Sequence, residues 1–162
     1  MPDAKPSFGD FLLTVEDDNK AFALEINEKL IADNYKTKIE LKANGYLVSY
    51  SHPKTRRSIL NFVFRGNRLC VRMYADNFSK YEGFINSLPE PIEKEIAKSA
   101  ACRRLLNPGD CNSRCVAGYD IIINGNRYVK CRYDCFLLKV TPDNSDIIKE
   151  FIENERMERS GG

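Results

Sequence analysis

SILNFVFRGNRLCVRMY, residues 58–74, reads as two apolar-rich strands, Ser58 to Arg65 and Arg68 to Tyr74, closed by a tight turn at Gly66-Asn67. Gly and Asn tolerate the positive φ that short hairpin turns require. In the return strand Leu69, Val71 and Met73 fall on one face, and Arg68, Cys70, Arg72 and Tyr74 on the other. A strand with one apolar and one polar face belongs to an antiparallel sheet covered on a single side. Working outward, Thr37 to Lys42 and Tyr46 to Tyr50 form a similar pair joined through Asn44-Gly45. Tyr119 to Ile123 and Arg127 to Val140 form a third, turning at Asn124-Gly125-Asn126. Gly66-Asn67-Arg68 and Gly125-Asn126-Arg127 repeat the same turn residues, through either a duplicated hairpin or convergence on a common turn.

Helical spacing fills the intervals. Asp17 or Asp18 caps a helix to about Asn34 with Phe22, Ala23, Ile26 and Leu30 inward, near i, i+4, i+8. Phe78, Tyr81, Ile85 and Leu88 form a stripe ending at Pro89. Pro91 opens a further helix carrying Ile92, Ile96 and Ala100, stopped by Asn107-Pro108-Gly109. Pro142 and Asp143 open the last helix, with Ile147, Ile148, Phe151 and Ile152 inward. Upstream, Phe11, Leu13 and Val15 alternate and suit a short first strand. The expected fold is therefore α+β: one domain over 1–159, a curved antiparallel sheet of hairpins with helices packed on one face, and a disordered tail at 160–162. At 162 residues, with 43% hydrophobic and 30% charged residues, one folded domain is the expectation.

The order of these elements over about residues 18–106 resembles that of small bacterial α+β proteins of the MmcQ/YjbR-like and YdhG-like kind. Leu60-Asn61-Phe62-Val63-Phe64-Arg65 through Val71-Arg72-Met73-Tyr74, followed by helices from Tyr81 to Leu106, carries the resemblance. It implies an α+β fold and a binding role, since some members are labelled DNA-binding and related folds hold small ligands. The segment from Cys102 to Cys135 lies outside that pattern.

Five of the six cysteines fall in that segment: Cys102, Cys111, Cys115, Cys131 and Cys135. Cys70 stands apart. Two C-x₃-C pairs separated by fifteen residues resemble a zinc ribbon in outline, although ribbons use C-x₂-C knuckles. The candidate metal ligands are Cys111, Cys115, Cys131 and Cys135, with Cys102 as substitute, and the candidate cofactor is zinc. One obstacle is geometric. Cys131 and Cys135 lie in a run that reads as strand, where residues four apart stand roughly 13 Å apart. They can share a zinc only if the strand is interrupted near Arg132-Tyr133-Asp134. Buried apolar thiols and a redox pair are the competing readings.

Charge is uneven. Residues 1–34 hold eight acids and three basic residues. From Ser51 to Ala75 there are six basic residues and no acid. Arg56, Arg57, Arg68 and Arg72, with Tyr74 beside them, are candidates for binding an anion or nucleic acid through the basic region 54–72, by phosphate contact and base stacking. The net charge of +2 argues against high non-specific affinity. Tyrosines at Tyr46, Tyr50, Tyr119, Tyr128 and Tyr133 suit either a ligand pocket or the core. His52 is the only histidine, at a strand-end turn, and neither a phosphate loop nor a metalloprotease motif is present. The sequence therefore gives no catalytic signature. No signal peptide and no apolar run of about eighteen residues appears, so a cytoplasmic location with reduced thiols and no membrane partner is expected. Three functions remain open: a binding module with a structural cysteine metal site and an unknown small ligand, a nucleic-acid-binding protein, and a thiol-based redox sensor or enzyme.

Overall fold

The computed structural model describes residues 4–160, save 108, 110 and 113. In chain order the elements are α1 (Phe8–Thr14), α2 (Asp17–Ala32), β1 (Lys36–Lys42), β2 (Gly45–Ser51), β3 (Ser58–Arg65), β4 (Arg68–Met73), α3 (Glu82–Asn86), α4 (Glu90–Lys98), α5 (Arg103–Leu106), β5 (Tyr119–Ile123), β6 (Asn126–Lys130), β7 (Leu137–Lys139) and α6 (Ser145–Ser160). A 3₁₀ turn at Phe78–Lys80 precedes α3. Five strands form an open antiparallel sheet in the order β1-β2-β3-β4-β7. β5 and β6 form a separate two-stranded ribbon. This is the α+β domain that the hairpin pattern predicts.

The inner face of the sheet carries Val48, Tyr50, Leu60, Phe62, Leu69, Val71, Met73 and Leu138, all buried in one core. Phe22, Ala23, Ile26 and Leu30 from α2 join it, as do Ile148, Phe151 and Ile152 from α6, and Ile92 and Ile96 from α4. Phe62 sits at the centre, with the rings of Phe11, Tyr50 and Phe22 at 5.4, 5.8 and 6.5 Å. α6 is further fixed by the fully buried Glu155. Its carboxylate accepts hydrogen bonds from the Asn77 backbone N–H and side-chain amide, Tyr81 Oη and Arg159 Nε.

Several expectations need correction. Residues 8–14 are helix rather than strand. Ser7 Oγ accepts from the Asp10 N–H while the Asp10 carboxylate accepts from the Ser7 N–H, a reciprocal cap that outweighs the short alternation of Phe11, Leu13 and Val15. α4 ends at Lys98, so Ala100 lies beyond it and is exposed. The long strand expected over 127–140 is two strands with a turn at 132–136 between them; β7 leaves its hairpin and pairs with β4. α6 continues through Ser160, which places that residue of the expected tail in a helix; 161 and 162 lie outside the described residues. The repeated letters do not mark the same turn. Gly66-Asn67 forms the first turn, between paired Arg65 and Arg68, whereas Asn124-Gly125 forms the second, between paired Ile123 and Asn126. The shared Gly-Asn-Arg letters therefore occupy different turn positions.

Candidate functional site

The strand register fixes what the outer face of the sheet presents. Lys38 pairs with Ser49, Ser49 with Asn61, Asn61 with Arg72, and Arg72 with Leu137. All five therefore share the face opposite Val48 and Tyr50. The same parity brings Lys36, Glu40 and Lys42 from β1, Arg65 from β3, Arg68 from β4 and Lys139 from β7 to that face. It thus carries seven basic side chains and one acid, Glu40. Glu40 pairs with Lys38 at 3.6 Å and Lys42 at 3.4 Å. Among the described residues Lys36, Arg65, Arg68, Arg72 and Lys139 form no ion pair, and all but Arg72 are exposed. Between them lie the apolar side chains of Leu47 and Val63.

Arg72 leads from this face to the turn after β6. Its Nε donates to the Tyr133 carbonyl at 2.8 Å. The Tyr133 ring, 49% exposed, stands edge-on to Tyr74 at 6.0 Å. Tyr74 itself is buried: the Arg132 guanidinium lies 5.0 Å over its ring and Asn61 Nδ2 donates to its hydroxyl. Tyr74, a stacking candidate from sequence, is thus covered, and Tyr133 is the ring that faces solvent.

Arg56 and Arg57 lie elsewhere. They belong to the β2–β3 turn, where His52 Nδ1 accepts from the Lys54 and Thr55 N–H groups and Arg56 adopts φ 63°. β3 separates this turn from Arg65 and Arg68, roughly 25 Å at the rise of a strand. The structure therefore does not gather Arg56, Arg57, Arg68 and Arg72 on one spot. Arg57 Nε instead binds Asp76 at 2.9 Å, and Arg132 and Arg159 bind the same carboxylate at 2.6 and 3.3 Å. Burial alone would raise the Asp76 pKa, but hydrogen bonds from Arg132 and Arg57 and the charge of Arg159 hold it below the usual carboxylate range. Beside this network lies a hollow of about 350 Å³ lined by His52, Lys54, Arg57, Asp76 and Arg159.

The cysteines divide differently from their sequence spacing. All six are free thiols. The turn at 132–136 removes the strand obstacle, since the Cys135 N–H donates to the Cys131 carbonyl at 2.8 Å. That turn carries Cys135 inward, into the core, where burial raises its thiol pKa. Cys135 neighbours Cys131 but does not line the hollow described next. Cys102 lies near Cys131. Ala101 bridges to Lys130, the Cys102 N–H donates to the Val129 carbonyl, and the Cys131 N–H donates to the Ala100 carbonyl. Cys102 and Cys131 are then diagonal neighbours on one face of this short ladder. Cys102, Cys111, Cys115 and Cys131 line one hollow of about 240 Å³ together with Arg103, Arg114, Arg132 and Tyr133. The Asn112 carbonyl accepts from the Cys115 N–H and its side chain accepts from the Arg114 N–H.

Backbone is built closely around Cys102. The Gly118 N–H donates to its Sγ at 3.2 Å. A Cβ on Gly118 would fall within the van der Waals surface of the Lys130 carbonyl oxygen and 3.0 Å from the Cys102 Cβ, so this approach requires glycine. As the thiols stand they line the hollow without meeting: among the described residues no three His, Cys, Asp or Glu side chains converge closely enough to hold a metal ion.

No family model, curated protein or solved structure matches the chain. Among the described residues no helix is long and apolar enough to cross a membrane. Sequence reasoning missed the outer-face lysines and named Tyr133 only among tyrosines for a pocket or the core. The signal for Lys36, Lys38 and Lys42 was present as every second residue of KTKIELK. Lys139 had no such signal, because its place beside Cys70 depends on β7 pairing with β4.

Proposed function

We propose that this protein is a binding module that holds a single-stranded nucleic acid across the outer face of its five-stranded sheet. The observation that carries the reading is the charge on that face, seven basic residues against one acid in a chain whose net charge is only +2. The remainder of the chain is correspondingly acidic. A phosphate backbone is therefore drawn to one face and away from the helices packed behind the sheet. Tyr133, exposed at the end of the face beside Arg72, offers a ring on which an unpaired base can stack. Such stacking contributes about 1–3 kcal/mol per base. A duplex keeps its base faces covered and would forgo that contact.

The test is fluorescence anisotropy with a fluorescein-labelled oligothymidine of about twenty nucleotides, measured across a salt series. Binding should weaken with salt by about 0.7 in log K per log salt for each phosphate neutralised. Replacing Lys38, Arg65, Arg68 and Lys139 together by Glu should raise Kd more than tenfold and flatten the salt slope by about 3. Arg56→Glu, at the other end of the sheet, should change Kd less than twofold. Absence of binding at low salt, or equal losses in the two variants, would refute the reading.

A further inference from the structure

We propose that the hollow walled by Tyr35, His52 and Lys54 binds the carboxylate or phosphate group of a small molecule. The proposal stands independently of the nucleic-acid reading, because this hollow lies at the β2–β3 turn, at the far end of β3 from Arg65 and Arg68. The argument begins with Tyr35. Five tyrosines among the described residues are buried. The hydroxyls of four have partners. Tyr50 Oη donates to Asn27 and Tyr81 Oη to Glu155, while Tyr74 Oη accepts from Asn61 and Tyr119 Oη from the Ala75 N–H. Tyr35, 6% exposed, has no partner for its hydroxyl. A buried hydroxyl left in that condition is destabilising and rare. The charged groups around it are engaged with one another. Arg156 donates to Asp33 and Glu153, and Arg159 donates to Glu155, Asp76 and the Tyr74 carbonyl. That leaves the hollow of about 340 Å³, which Tyr35 lines with His52, Lys54, Asp33, Arg156 and Arg159, as the side from which a partner can come.

The other walls say what kind of partner fits. His52 Nδ1 accepts from the Lys54 and Thr55 N–H groups, at 3.2 Å each. With Nδ1 accepting, the ring proton sits on Nε2. The His52 ring stands edge-on to Tyr35 at 5.5 Å. Among the described residues neither His52 Nε2 nor Lys54 Nζ has a partner. Burial raises the Tyr35 pKa, so its hydroxyl keeps its proton and can donate. Three unspent donors therefore border one hollow. Asp33 is the one acid among its walls and is already paired with Arg156, which leaves the Lys54 charge uncompensated. Glu158, an acid without an ion pair among the described residues, lines the adjoining hollow of about 350 Å³ and not this one. Donors with surplus positive charge match a group that only accepts and carries negative charge, a carboxylate or a phosphate. The adjoining hollow shares His52, Lys54 and Arg159 with this one and gives the remainder of the molecule its space.

His52 is the only histidine, so its imidazole NMR signals report on this hollow alone. Inorganic phosphate and acetate are titrated separately into ¹⁵N-labelled full chain, with sodium chloride at matched ionic strength as control. The expected result is a saturable shift of the His52 Nε2 signal with at least one of the two anions and none with chloride. Saturation by phosphate alone supports the site and assigns a phosphorylated ligand; saturation by acetate alone supports it and assigns a carboxylate. Lys54→Gln, at an exposed position, should raise Kd about tenfold. Tyr35→Phe removes only the hydroxyl. It should raise Kd about fivefold and leave Tm equal or higher, because the unpartnered group is gone. The site is overturned if neither anion saturates the shift by about 100 mM, or if chloride reproduces it. An unchanged Kd or a lowered Tm in Tyr35→Phe would overturn it as well, since the hydroxyl would then serve the fold and not a ligand.

Discussion

Replacing Gly118 by Ala tests the close approach on which the thiol hollow depends. The new methyl would overlap the Lys130 carbonyl oxygen, which is backbone, and press on the Arg132 N and Cys102 Cβ, each at 3.0 Å. A flexible side chain could rotate away from such a contact, but a carbonyl in the β6 ladder cannot. Relief therefore requires the two segments to part. Overpacking of this kind costs about 1–3 kcal/mol, and a backbone obstacle belongs at the upper end. Parting the segments also weakens the Gly118 N–H to Cys102 Sγ hydrogen bond, a further loss of about 0.5–1.5 kcal/mol. The expected destabilisation is about 3 kcal/mol, or about 6–12 °C in Tm for a chain of this size. Gly83→Ala is the matched control. Gly83 lies in α3 with nothing within 4 Å of its Cβ position, so Ala there should be neutral or stabilising by up to about 1 kcal/mol. Urea unfolding of both variants measures the difference. If Gly118→Ala lies within about 1 kcal/mol of Gly83→Ala, the segments are not held as closely as described and the account of Cys102 fails.

The Asp76 carboxylate carries a pH dependence of known sign. Its pKa is depressed in the folded state, so its contribution is fully present above the unfolded carboxylate value of about 3.9 and is lost as pH falls through the lower folded value. Asp76→Asn should therefore be less stable than wild type at neutral pH, with the gap narrowing below about pH 4; a gap that stays constant from pH 7 to pH 3 would contradict the network of Arg132, Arg57 and Arg159. Thiol labelling separates the cysteines by environment. In native protein Cys111 should alkylate fastest, while Cys70 and Cys135, both buried with thiol pKa values raised by desolvation, should react only on denaturation. Mass-spectrometric mapping that finds Cys135 labelled as quickly as Cys111 would place it outside the core.

Much of the fold was legible because its signals are local. A turn of Gly66-Asn67, the 3.6-residue stripe of Phe22, Ile26 and Leu30, and the alternation of Leu69, Val71 and Met73 each depend on a few neighbouring residues and on backbone geometry that any context preserves. The α1 error was local too: the reading followed an alternation only three residues deep and overlooked the Ser7-to-Asp10 cap. The third hairpin failed for a different reason. Nothing within residues 127–140 states that the chain will turn at 132–136 and that Leu137–Lys139 will lie beside β4, because the partners Cys70, Val71 and Arg72 are more than sixty residues away.

The candidate sites follow the same division. The sequence by itself supplied the basic residues of the central strands, the alternating lysines of β1 and a cluster of five cysteines. Only the tertiary structure decided which of these lie together. Strand register set Lys38, Arg65, Arg68, Arg72 and Lys139 on one face and left Arg56 and Arg57 at a distant turn. Equal spacing made Cys131 and Cys135 look like a pair, yet the turn between them sends one sulfur toward the hollow and the other into the core. Cys102 lines the same hollow because the Ala101–Lys130 bridge sets it diagonal to Cys131. Spacing along a chain constrains only residues that share a local geometry; which side chains converge is fixed by burial and by pairing between distant segments.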